Sequence, residues 1–356
     1  MPESLGSLRG KKVFVGLSGG VDSAVTAALL KRAGAHVFGV FIKGWYPPGL
    51  PCSWAEDRRD AMRVAARLQI PFETLDASAE YKKSVIDYLI AEYRAGRTPN
   101  PDIMCNKDVK FGAFFEFAKR KGADAIATGH YARAEHGALL RGVNADKDQS
   151  YFLWAISKEA LAMTRFPLGG NKKSVVRALA SKLNLPVAEK KDSQGICFLG
   201  AVSVDDFLRN EFGVQAGKAV DESGAEVGMH DGVLLHTLGE RIALTGAAPG
   251  PWYVVAKNVP GNTLTVSKEH TKAEGASSIR LRAVNWLSTY EDGETIEAQY
   301  RYHGPRISGT YDSATHTFIP SEKLAEPVAE GQSLVFYRDD LCLGGGIISY
   351  TSIRIT

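Results

Sequence analysis

Hydrophobic positions in the first 200 residues follow two alternating patterns. Short runs rich in β-branched and aromatic residues predict strands, and runs with apolar residues three or four positions apart predict helices. The predicted strands span 12–17, 36–42, 71–75 and 123–128, and the predicted helices span 23–33, 55–68, 79–94, 109–120 and 172–183. Strands that alternate with helices of this length are typical of a parallel sheet covered on both faces.

The pattern changes after about residue 200, where glycine and proline become frequent. Short alternating runs replace the helices at 252–256, 263–266, 279–283, 296–302, 333–337 and 346–355. Such runs, separated by turn signals like Pro260-Gly261, indicate small antiparallel barrels or sandwiches. The sequence therefore predicts an α/β region followed by β-rich regions.

Composition narrows the class of protein. The chain has 356 residues, enough for two or three domains, and 44% of them are hydrophobic. No apolar run approaches the roughly 18 residues of a membrane-spanning helix, and residues 1–12 do not resemble a signal peptide. Four cysteines are too few for a disulfide scaffold in a chain of this length. We expect a cytoplasmic protein with reduced thiols and no membrane association.

The net charge of +3 is unevenly distributed. Residues 165–200 contain seven Lys or Arg and two Asp or Glu, a local excess of +5. A basic stretch on an otherwise near-neutral chain is a candidate footprint for a polyanion. A solvated helix face is the alternative interpretation, and charge alone does not decide between the two.

A glycine-rich turn at 16–23 (GLSGGVDS) directly follows the first predicted strand and opens a helix. Glycine lets the backbone turn sharply, so that successive N–H groups and the helix N-terminus face an anion such as phosphate. Ser18 and Ser23 add hydroxyl donors, and Asp22 could hold a magnesium ion against the phosphates. An ordinary capped turn would explain a bare Gly-Gly, whereas the whole string favours phosphate binding. It is not a Walker loop, because no Gly-Lys-Ser/Thr follows.

A second candidate site lies at 96–106 (GRTPNPDIMCN). Its two prolines predict a rigid, irregular loop after a helix. Lys107 and Lys110 stand near Cys105 in sequence, and nearby ammonium groups favour the reactive thiolate. Asp102 could act as an acid or base, or orient a substrate. An inert loop cysteine is the alternative interpretation.

A second cysteine, Cys197, follows two lysines and a glycine in the run 190–198 (KKDSQGICF), again on a predicted loop. It could be a small buried hydrophobic residue. Two loop cysteines nevertheless permit chemistry that one cannot do, because one can carry sulfur as a persulfide while the other attacks or resolves it. The other two cysteines, Cys52 and Cys342, form no C-x-x-C pair with these, and the spacing matches no compact metal-ligand motif. We therefore expect no metal site built by the protein alone.

Together these strings resemble the tRNA-specific 2-thiouridylases of the ATP pyrophosphatase superfamily. The resemblance extends to 128–131 (TGHY), 144–153 (NADKDQSYFL), 236–239 (HTLG) and 341–348 (LCLGGGII), and so spans essentially the whole chain. The chain departs from the family's pattern at two places that involve no reacting group: Ala24 after the loop serine, and 240–242 (ERI) after HTLG.

The resemblance implies an α/β fold with three domains: an ATP pyrophosphatase-type catalytic domain at 1–200 whose parallel sheet binds the adenine nucleotide, a small β-rich central domain at 201–272, and a C-terminal antiparallel β-barrel at 273–356 that contacts tRNA. It implies adenylation of the C2 oxygen of the wobble uridine by ATP with Mg²⁺, and no prosthetic group. Sulfur would then pass from a cysteine persulfide to C2, giving 2-thiouridine. The implied partners are tRNA and a persulfide-donating sulfur carrier or cysteine desulfurase.

The resemblance also implies roles for particular residues. The catalytic set is Cys105, Cys197 and Asp102. The ATP-binding set is Gly16, Leu17, Ser18, Gly19, Gly20, Val21, Asp22, Ser23, Ile42 and Gly129, with Asp22 as the possible magnesium ligand. The set near the target base and the tRNA is Asn100, Pro101, Asp102, His130, Lys147, Asp148, Gln149, Arg301, Tyr302 and Gln332. Cys197 would carry the persulfide. Either Cys105 attacks it or a released hydrosulfide carries the sulfur, and both routes could leave a Cys105–Cys197 disulfide.

Two rival functions remain open. Another ATP pyrophosphatase that acts on tRNA, such as an amidating or lysidine-type ligase, needs no cysteine pair and would tolerate loss of Cys197. A catalytically silent tRNA-binding module would show no ATP-dependent turnover, and the full glycine loop, Asp102 and both cysteines argue against it.

Overall fold

The structure, a computed structural model, describes residues 7–47, 54–191, 203–247, 249–269, 276–324 and 327–352. Cys52 and Cys197 lie outside the described residues, as does most of the 190–198 run. Within these ranges, no helix combines the length and the apolar character needed to cross a membrane.

The N-terminal region is built on a five-stranded sheet in which every neighbouring pair is parallel. Its strands, in the order β3-β2-β1-β4-β7, are β1 Lys12–Gly16, β2 His36–Lys43, β3 Phe72–Asp76, β4 Ala125–Ala127 and β7 Thr164–Arg165. Alternate residues of β1 enter two different cores: Phe14 packs on one face of the sheet, Val13 and Val15 on the other. The sheet is therefore buried on both sides, as the continuous apolar runs predict.

Helices cover both faces of this sheet. They are α1 Val21–Arg32, α2 Trp54–Leu68, α3 Ser78–Tyr81, α4 Asp87–Arg94, α5 Pro101–Met104, α6 Phe114–Arg120, α7 Lys158–Met163 and α8 Lys173–Lys182. Two π-helical segments make longer rods, because Lys82–Ile86 joins α3 to α4 and Cys105–Ala113 joins α5 to α6.

The second region begins with α9, Val204–Phe212, and contains a small five-stranded sheet. Its strands, in the order β10-β11-β12-β8-β9, are β8 Gly217–Val220, β9 Glu226–His230, β10 Arg241–Ile242, β11 Trp252–Asn258 and β12 Thr263–Ser267. The sheet has its own apolar core, which includes the fully buried residues Val254, Leu264 and Val266.

The third region is a closed antiparallel barrel of six strands. They are β13 Ser278–Trp286, β14 Thr295–Gln299, β15 Ile307–Asp312, β16 Thr317–Pro320, β17 Ser333–Arg338 and β18 Leu341–Ser352, and pairing of β13 with β18 closes the barrel. The α/β class, with a β-rich middle and a C-terminal barrel, is thereby confirmed.

A hairpin from the N-terminal region extends the barrel sheet. Strands β5 Ala132–Glu135 and β6 Ala138–Arg141 pair with each other, and β6 pairs with β18, where Cys342 faces Leu139. The hairpin was not predicted from the sequence because each of its strands has only four residues. Its effect is to fix the barrel to the segment that follows β4.

Candidate active site

The carboxyl ends of β1, β2 and β4 meet at one edge of the parallel sheet. The chain passes from β1 outward through β2 to β3 and then returns to β4 on the other side of β1. This reversal of strand order opens a crevice beyond the carboxyl ends, where open α/β sheets bind their ligands. The predicted phosphate loop after β1 and the 128–131 run after β4 both border this crevice.

The loop after β1 is shaped by its glycines and serines. Gly19 has a φ of +77°, and a Cβ there would lie 2.2 Å from the carbonyl oxygen of Asp57, so only glycine fits. The hydroxyls of Ser18 and Ser23 lie 3.2 Å apart, and the Ser23 hydroxyl donates to the Gly20 carbonyl at 3.1 Å. Because Gly20 precedes α1 and has no side chain to cap it, the first-turn N–H groups can face an anion.

Two other predicted ATP-binding residues adjoin this loop. A Cβ on Gly129 would lie 2.8 Å from the backbone nitrogen of Ser23, so the segment after β4 contacts the start of α1 directly. The Ile42 side chain lies 3.9 Å from the Cβ position of Gly16. The structure thus brings together the residues that the sequence analysis assigned to ATP.

The carboxylate of Asp22 has two partners that the sequence analysis did not assign to the site. Lys173, the first residue of α8, donates to both carboxylate oxygens at 2.8 Å, and the Tyr131 hydroxyl donates to one of them at 2.8 Å. Tyr131 lay within a quoted motif, and Lys173 lay in the basic stretch. Their sequence distance from Asp22 hid the contact.

The structure places Cys105 in a helical segment, so the prediction that it lies on a loop is wrong. The physical reason is helix capping: the Asn100 side chain accepts a hydrogen bond from the Asp102 N–H at 3.2 Å, and Pro101 occupies the first helical position. The prolines therefore start a helix, and Cys105 continues it. Cys105 is fully buried, whereas Asp102 is half-buried.

His130 connects this helical rod to the crevice. Its ring lies 5.7 Å from that of Phe111, six residues after Cys105, and its Nδ1 is 2.7 Å from the Thr128 hydroxyl. Burial, and secondarily the positive charge of Lys110, lower the pKa of His130 well below 6.5. The imidazole is therefore neutral at physiological pH and suits positioning better than proton transfer.

Among the residues predicted to face tRNA, Lys147, Gln149, Arg301 and Tyr302 form one group, and Gln332 lies apart from them. Gln149 accepts a hydrogen bond from the Tyr131 N–H at 3.0 Å, and the Tyr302 ring lies 4.5 Å from that of Phe152. Lys147 and Arg301 are exposed beside them. Gln332 instead donates to the Thr98 carbonyl at 2.8 Å, at the loop leading to Asn100.

Asp148 differs from its neighbours because its carboxylate points inward. It accepts hydrogen bonds from the backbone of Gly142 and Ser150 at 2.8 and 3.0 Å and from the Ser150 hydroxyl at 3.0 Å. Its contact with tRNA remains a prediction, and these bonds indicate that it also shapes the segment carrying Lys147 and Gln149.

Much of the basic stretch is committed to internal contacts. Lys173 binds Asp22, Arg165 and Arg177 donate to backbone carbonyls, and Lys190 lies 2.8 Å from Asp57 and 2.7 Å from Asp60. At least four of the seven cations therefore have protein partners. The local excess of +5 overstates the charge this surface can offer to a polyanion.

Among the residues that the structure describes, no group of three or more His, Cys, Asp or Glu side chains could hold a metal ion. Burial raises the pKa of Cys342 to about 12, so this thiol is a core residue rather than a nucleophile.

Comparison with known proteins places the chain in a family. Three family models match in succession: the tRNA methyl transferase HUP domain at residues 11–201, the tRNA methyl transferase PRC-barrel domain at 205–268 and the aminomethyltransferase beta-barrel domain at 276–348. Among solved structures, an NMN synthetase from Francisella tularensis is 20% identical over 60% of this chain and 80% of its own, with a TM-score of 0.37.

Curated relatives match over nearly their full length. The protein named tRNA-specific 2-thiouridylase MnmA from Colwellia psychrerythraea is 43% identical, covering 96% of this chain and 96% of its own. Those of the same name from Shewanella piezotolerans and Enterococcus faecalis are 41% and 40% identical, covering 95% of this chain and 96% and 95% of their own. The chain therefore belongs to the tRNA-specific 2-thiouridylase family.

Proposed function

We propose that this chain is a tRNA 2-thiouridylase, which uses ATP to activate the C2 oxygen of the wobble uridine and replaces that oxygen with sulfur. The observation that carries the proposal is one juxtaposition. The glycine loop and the helical rod of Cys105 border the same crevice, and His130 joins them. The near full-length match to proteins of that name supports the same reaction.

ATP fits the loop after β1 by its chemistry. Its phosphates would accept hydrogen bonds from the N–H groups at the start of α1 and from the hydroxyls of Ser18 and Ser23. The adenine would lie near Ile42. Magnesium usually binds proteins through one or two carboxylates together with substrate phosphates and water. A single carboxylate is therefore enough, and Asp22 is the residue that would hold the ion. Lys173 would partly offset the negative charge of the Asp22 carboxylate.

The reaction needs two steps because the uracil C2 oxygen is a poor leaving group. Adenylation makes that oxygen part of AMP, which can then depart with its bonding electrons as sulfur bonds to C2. Asp102, at the start of the rod, is suited to handle protons at a base flipped into the crevice. Asn100 and Pro101 would border that base.

Sulfur would arrive on Cys197 as a persulfide. Lys190 is held beside the glycine loop through its ion pair with Asp57, and Cys197 follows Lys190 by only seven residues in the sequence. The Cys105 thiolate would attack the inner sulfur of the Cys197 persulfide and break its S–S bond. The outer sulfur leaves with the bonding electrons as hydrosulfide, which bonds to C2 as AMP departs, and a Cys105–Cys197 disulfide remains. A thiol reductant must reopen that disulfide before the next turnover. A persulfide-donating carrier or a cysteine desulfurase would reload Cys197.

Arg301 and Tyr302 on the barrel, with Lys147 and Gln149 nearby, are the proposed tRNA contacts, because a cation beside an aromatic ring suits phosphate and base together. Gln332 would support the target-base side through Thr98. The domain limits 1–200, 201–272 and 273–356, and the cytoplasmic location, stay predictions.

Mass analysis of tRNA nucleosides tests the function. Incubation of the chain with tRNA, ATP, magnesium and a persulfide source should convert uridine at the wobble position to 2-thiouridine with release of AMP. An unchanged nucleoside profile would contradict the proposal. Full activity of Cys197→Ser would favour a ligase of the same superfamily.

A further inference from the structure

An ion cluster centred on a buried carboxylate joins the barrel to the loop that precedes Asn100. Glu92, on α4, is 5% exposed. Its carboxylate accepts two hydrogen bonds from the Arg97 guanidinium, both at 2.8 Å, and a third from Arg282 on β13 at 2.6 Å. Burial alone would raise the pKa of Glu92, but the bond from Arg97 and the charge of Arg282 lower it. One ionised carboxylate therefore binds two cations from different regions.

The contact with Arg97 is geometrically specific. Two parallel N–H···O bonds match the fork of a guanidinium to a carboxylate, and a lysine cannot reproduce them. The Arg97 N–H also donates to the Glu92 carbonyl at 3.0 Å, so both ends of the residue are fixed. On the same helix, Arg94 pairs with Glu211 through a side chain that is 63% exposed, a surface pair of the kind that contributes little.

The next residue, Thr98, receives contacts from both other regions. Its N–H donates to the Glu330 carbonyl at 2.8 Å, its carbonyl accepts from Gln332 at 2.8 Å, and its hydroxyl lies 3.2 Å from that of Thr237. Gly331 approaches so closely that a Cβ there would lie 2.9 Å from the Thr98 carbonyl carbon. The Arg97-Thr98 pair is thus where all three regions meet.

The rod that carries Asp102 and Cys105 begins three residues beyond Thr98. Pro99 and the cap at Asn100 leave little freedom between them. A shift of β13 against α4 would therefore be transmitted to the rod through Arg282, Glu92 and Arg97.

We propose that Glu92 is a positioning residue of the thiolation site, an inference that rests on the proposed function. Its carboxylate joins Arg282 of the barrel to Arg97, so that a barrel bound to tRNA sets the placement of Asp102 and Cys105. Glu92 touches no reacting atom, and its effect is expected on turnover rather than on binding.

The test compares Glu92→Gln, which removes the charge at constant shape, with Arg94→Gln on the same helix. Thiolation kinetics are measured with tRNA, ATP, magnesium and a persulfide source, and folding is followed by thermal unfolding. We expect Glu92→Gln to lower kcat about 10- to 100-fold, as small misplacements of reacting groups do. The KM for tRNA and for ATP should stay within about twofold, while Arg94→Gln should match the wild type.

A second pair of variants separates positioning from general stability. Arg282→Gln should lower kcat in the same direction, and the double variant Glu92→Gln/Arg282→Gln should be no slower than Glu92→Gln alone, because both changes break one connection. Glu92→Asp, which keeps the charge, should recover part of the lost rate.

Several outcomes would overturn the inference. These are a folded Glu92→Gln enzyme with wild-type kcat, multiplicative effects in the double variant, or a rate loss that follows the unfolding curve and disappears on cooling. If Glu92→Gln does not fold, an unchanged kcat in Arg282→Gln is sufficient by itself to overturn the inference. A wild type that makes no 2-thiouridine would overturn the proposed function and this inference with it. An active wild type with insensitive variants overturns only the inference.

Discussion

At the scale of single residues, the crevice pairs opposite charges where a polyanion would bind. A carboxylate at the start of α1 would repel phosphates, but Lys173 lies 2.8 Å from both oxygens of Asp22 and compensates its charge. The Tyr131 hydroxyl fixes the orientation of the same carboxylate. Both side chains therefore fix the position of the Asp22 carboxylate, and its role as a magnesium ligand stays a prediction.

Replacing this carboxylate should stop the activation step and spare tRNA binding. We predict that Asp22→Asn lowers ATP-dependent pyrophosphate release on the order of 100-fold or more, because the magnesium ion that would neutralise the phosphates loses its protein ligand. The dissociation constant for tRNA should stay within about twofold. Asp124→Asn, at the opposite edge of the sheet, is the control. Normal pyrophosphate release from Asp22→Asn would refute the assignment.

His130 gives a prediction about stability against pH. Burial and Lys110 lower its pKa well below 6.5 in the folded chain, so the unfolded chain binds the extra proton as pH falls through about 6.5. Stability contributed by the neutral ring is thus present above pH 6.5 and lost below it, with a slope approaching about 1.4 kcal/mol per pH unit. Urea unfolding between pH 7.5 and 5 should show a shallower decline for His130→Gln than for the wild type. Equal slopes for His130→Gln and the wild type would contradict the burial argument.

At the scale of elements, the crevice depends on close contact between the segment after β4 and the start of α1. Gly129→Ala would place a methyl group 2.8 Å from the Ser23 nitrogen and 2.9 Å from the Asp22 carbonyl carbon. Neither backbone atom can move without displacing the loop. We predict at least a tenfold loss of ATP affinity, as expected for a displaced anion-binding backbone, measured by equilibrium binding of ATP.

The matched control for this prediction is Gly170→Ala. No heavy atom lies within 4 Å of a Cβ at Gly170, so the added methyl group meets open space. Its ATP affinity should equal that of the wild type. A Gly129→Ala chain that bound ATP normally would show that this contact does not shape the loop.

Sequence patterns predicted the elements with strong periodicity and missed those defined by distant contacts. The buried strands β1 and β2 and the helices α1, α2 and α8 appeared within two residues of their predicted limits, because apolar spacing directly reflects which face is buried. The rod at Cys105 was misassigned because Asn100 and Pro101 can signal either a turn or a helix start. Only the hydrogen bond from Asp102 to Asn100 distinguishes them.

The predicted site shows the same difference between local sequence signals and long-range contacts. Local strings predicted that the glycine loop, Asp102 and Cys105 belong to the site. Lys173, 151 positions from Asp22, and Glu92, 190 positions from Arg282, have no local signal because their roles arise from long-range pairing.

At the scale of the whole molecule, the barrel is fixed to the N-terminal region by more than one element. The hairpin strand β6 pairs with β18, the Tyr151 hydroxyl donates to the Ser333 carbonyl at 2.9 Å, and Asn285 donates to the carbonyls of Trp154 and Ile156 at 2.8 and 3.0 Å. A tRNA that contacts Arg301 and Tyr302 would therefore bind a surface already oriented toward the crevice.

Binding to this surface should depend on salt, because each neutralised phosphate releases counterions. We predict that the logarithm of tRNA affinity falls linearly with the logarithm of salt concentration, and that Arg301→Gln lowers the slope by about one. Arg306→Gln, which removes a cation paired with Glu297 at 2.8 Å, should change the slope less. Affinity that is independent of salt would argue against a phosphate-binding barrel.

The central claim is that sulfur passes from Cys197 to the wobble uridine with Cys105 as its partner. The most direct measurement loads the enzyme with isotopically labelled persulfide sulfur and follows a single turnover with tRNA and ATP, without reductant. The account predicts labelled 2-thiouridine in proportion to AMP released, together with a Cys105–Cys197 disulfide by peptide mapping. Unlabelled 2-thiouridine, a labelled product from Cys197→Ser, or wild-type turnover that forms no disulfide at any time would contradict it.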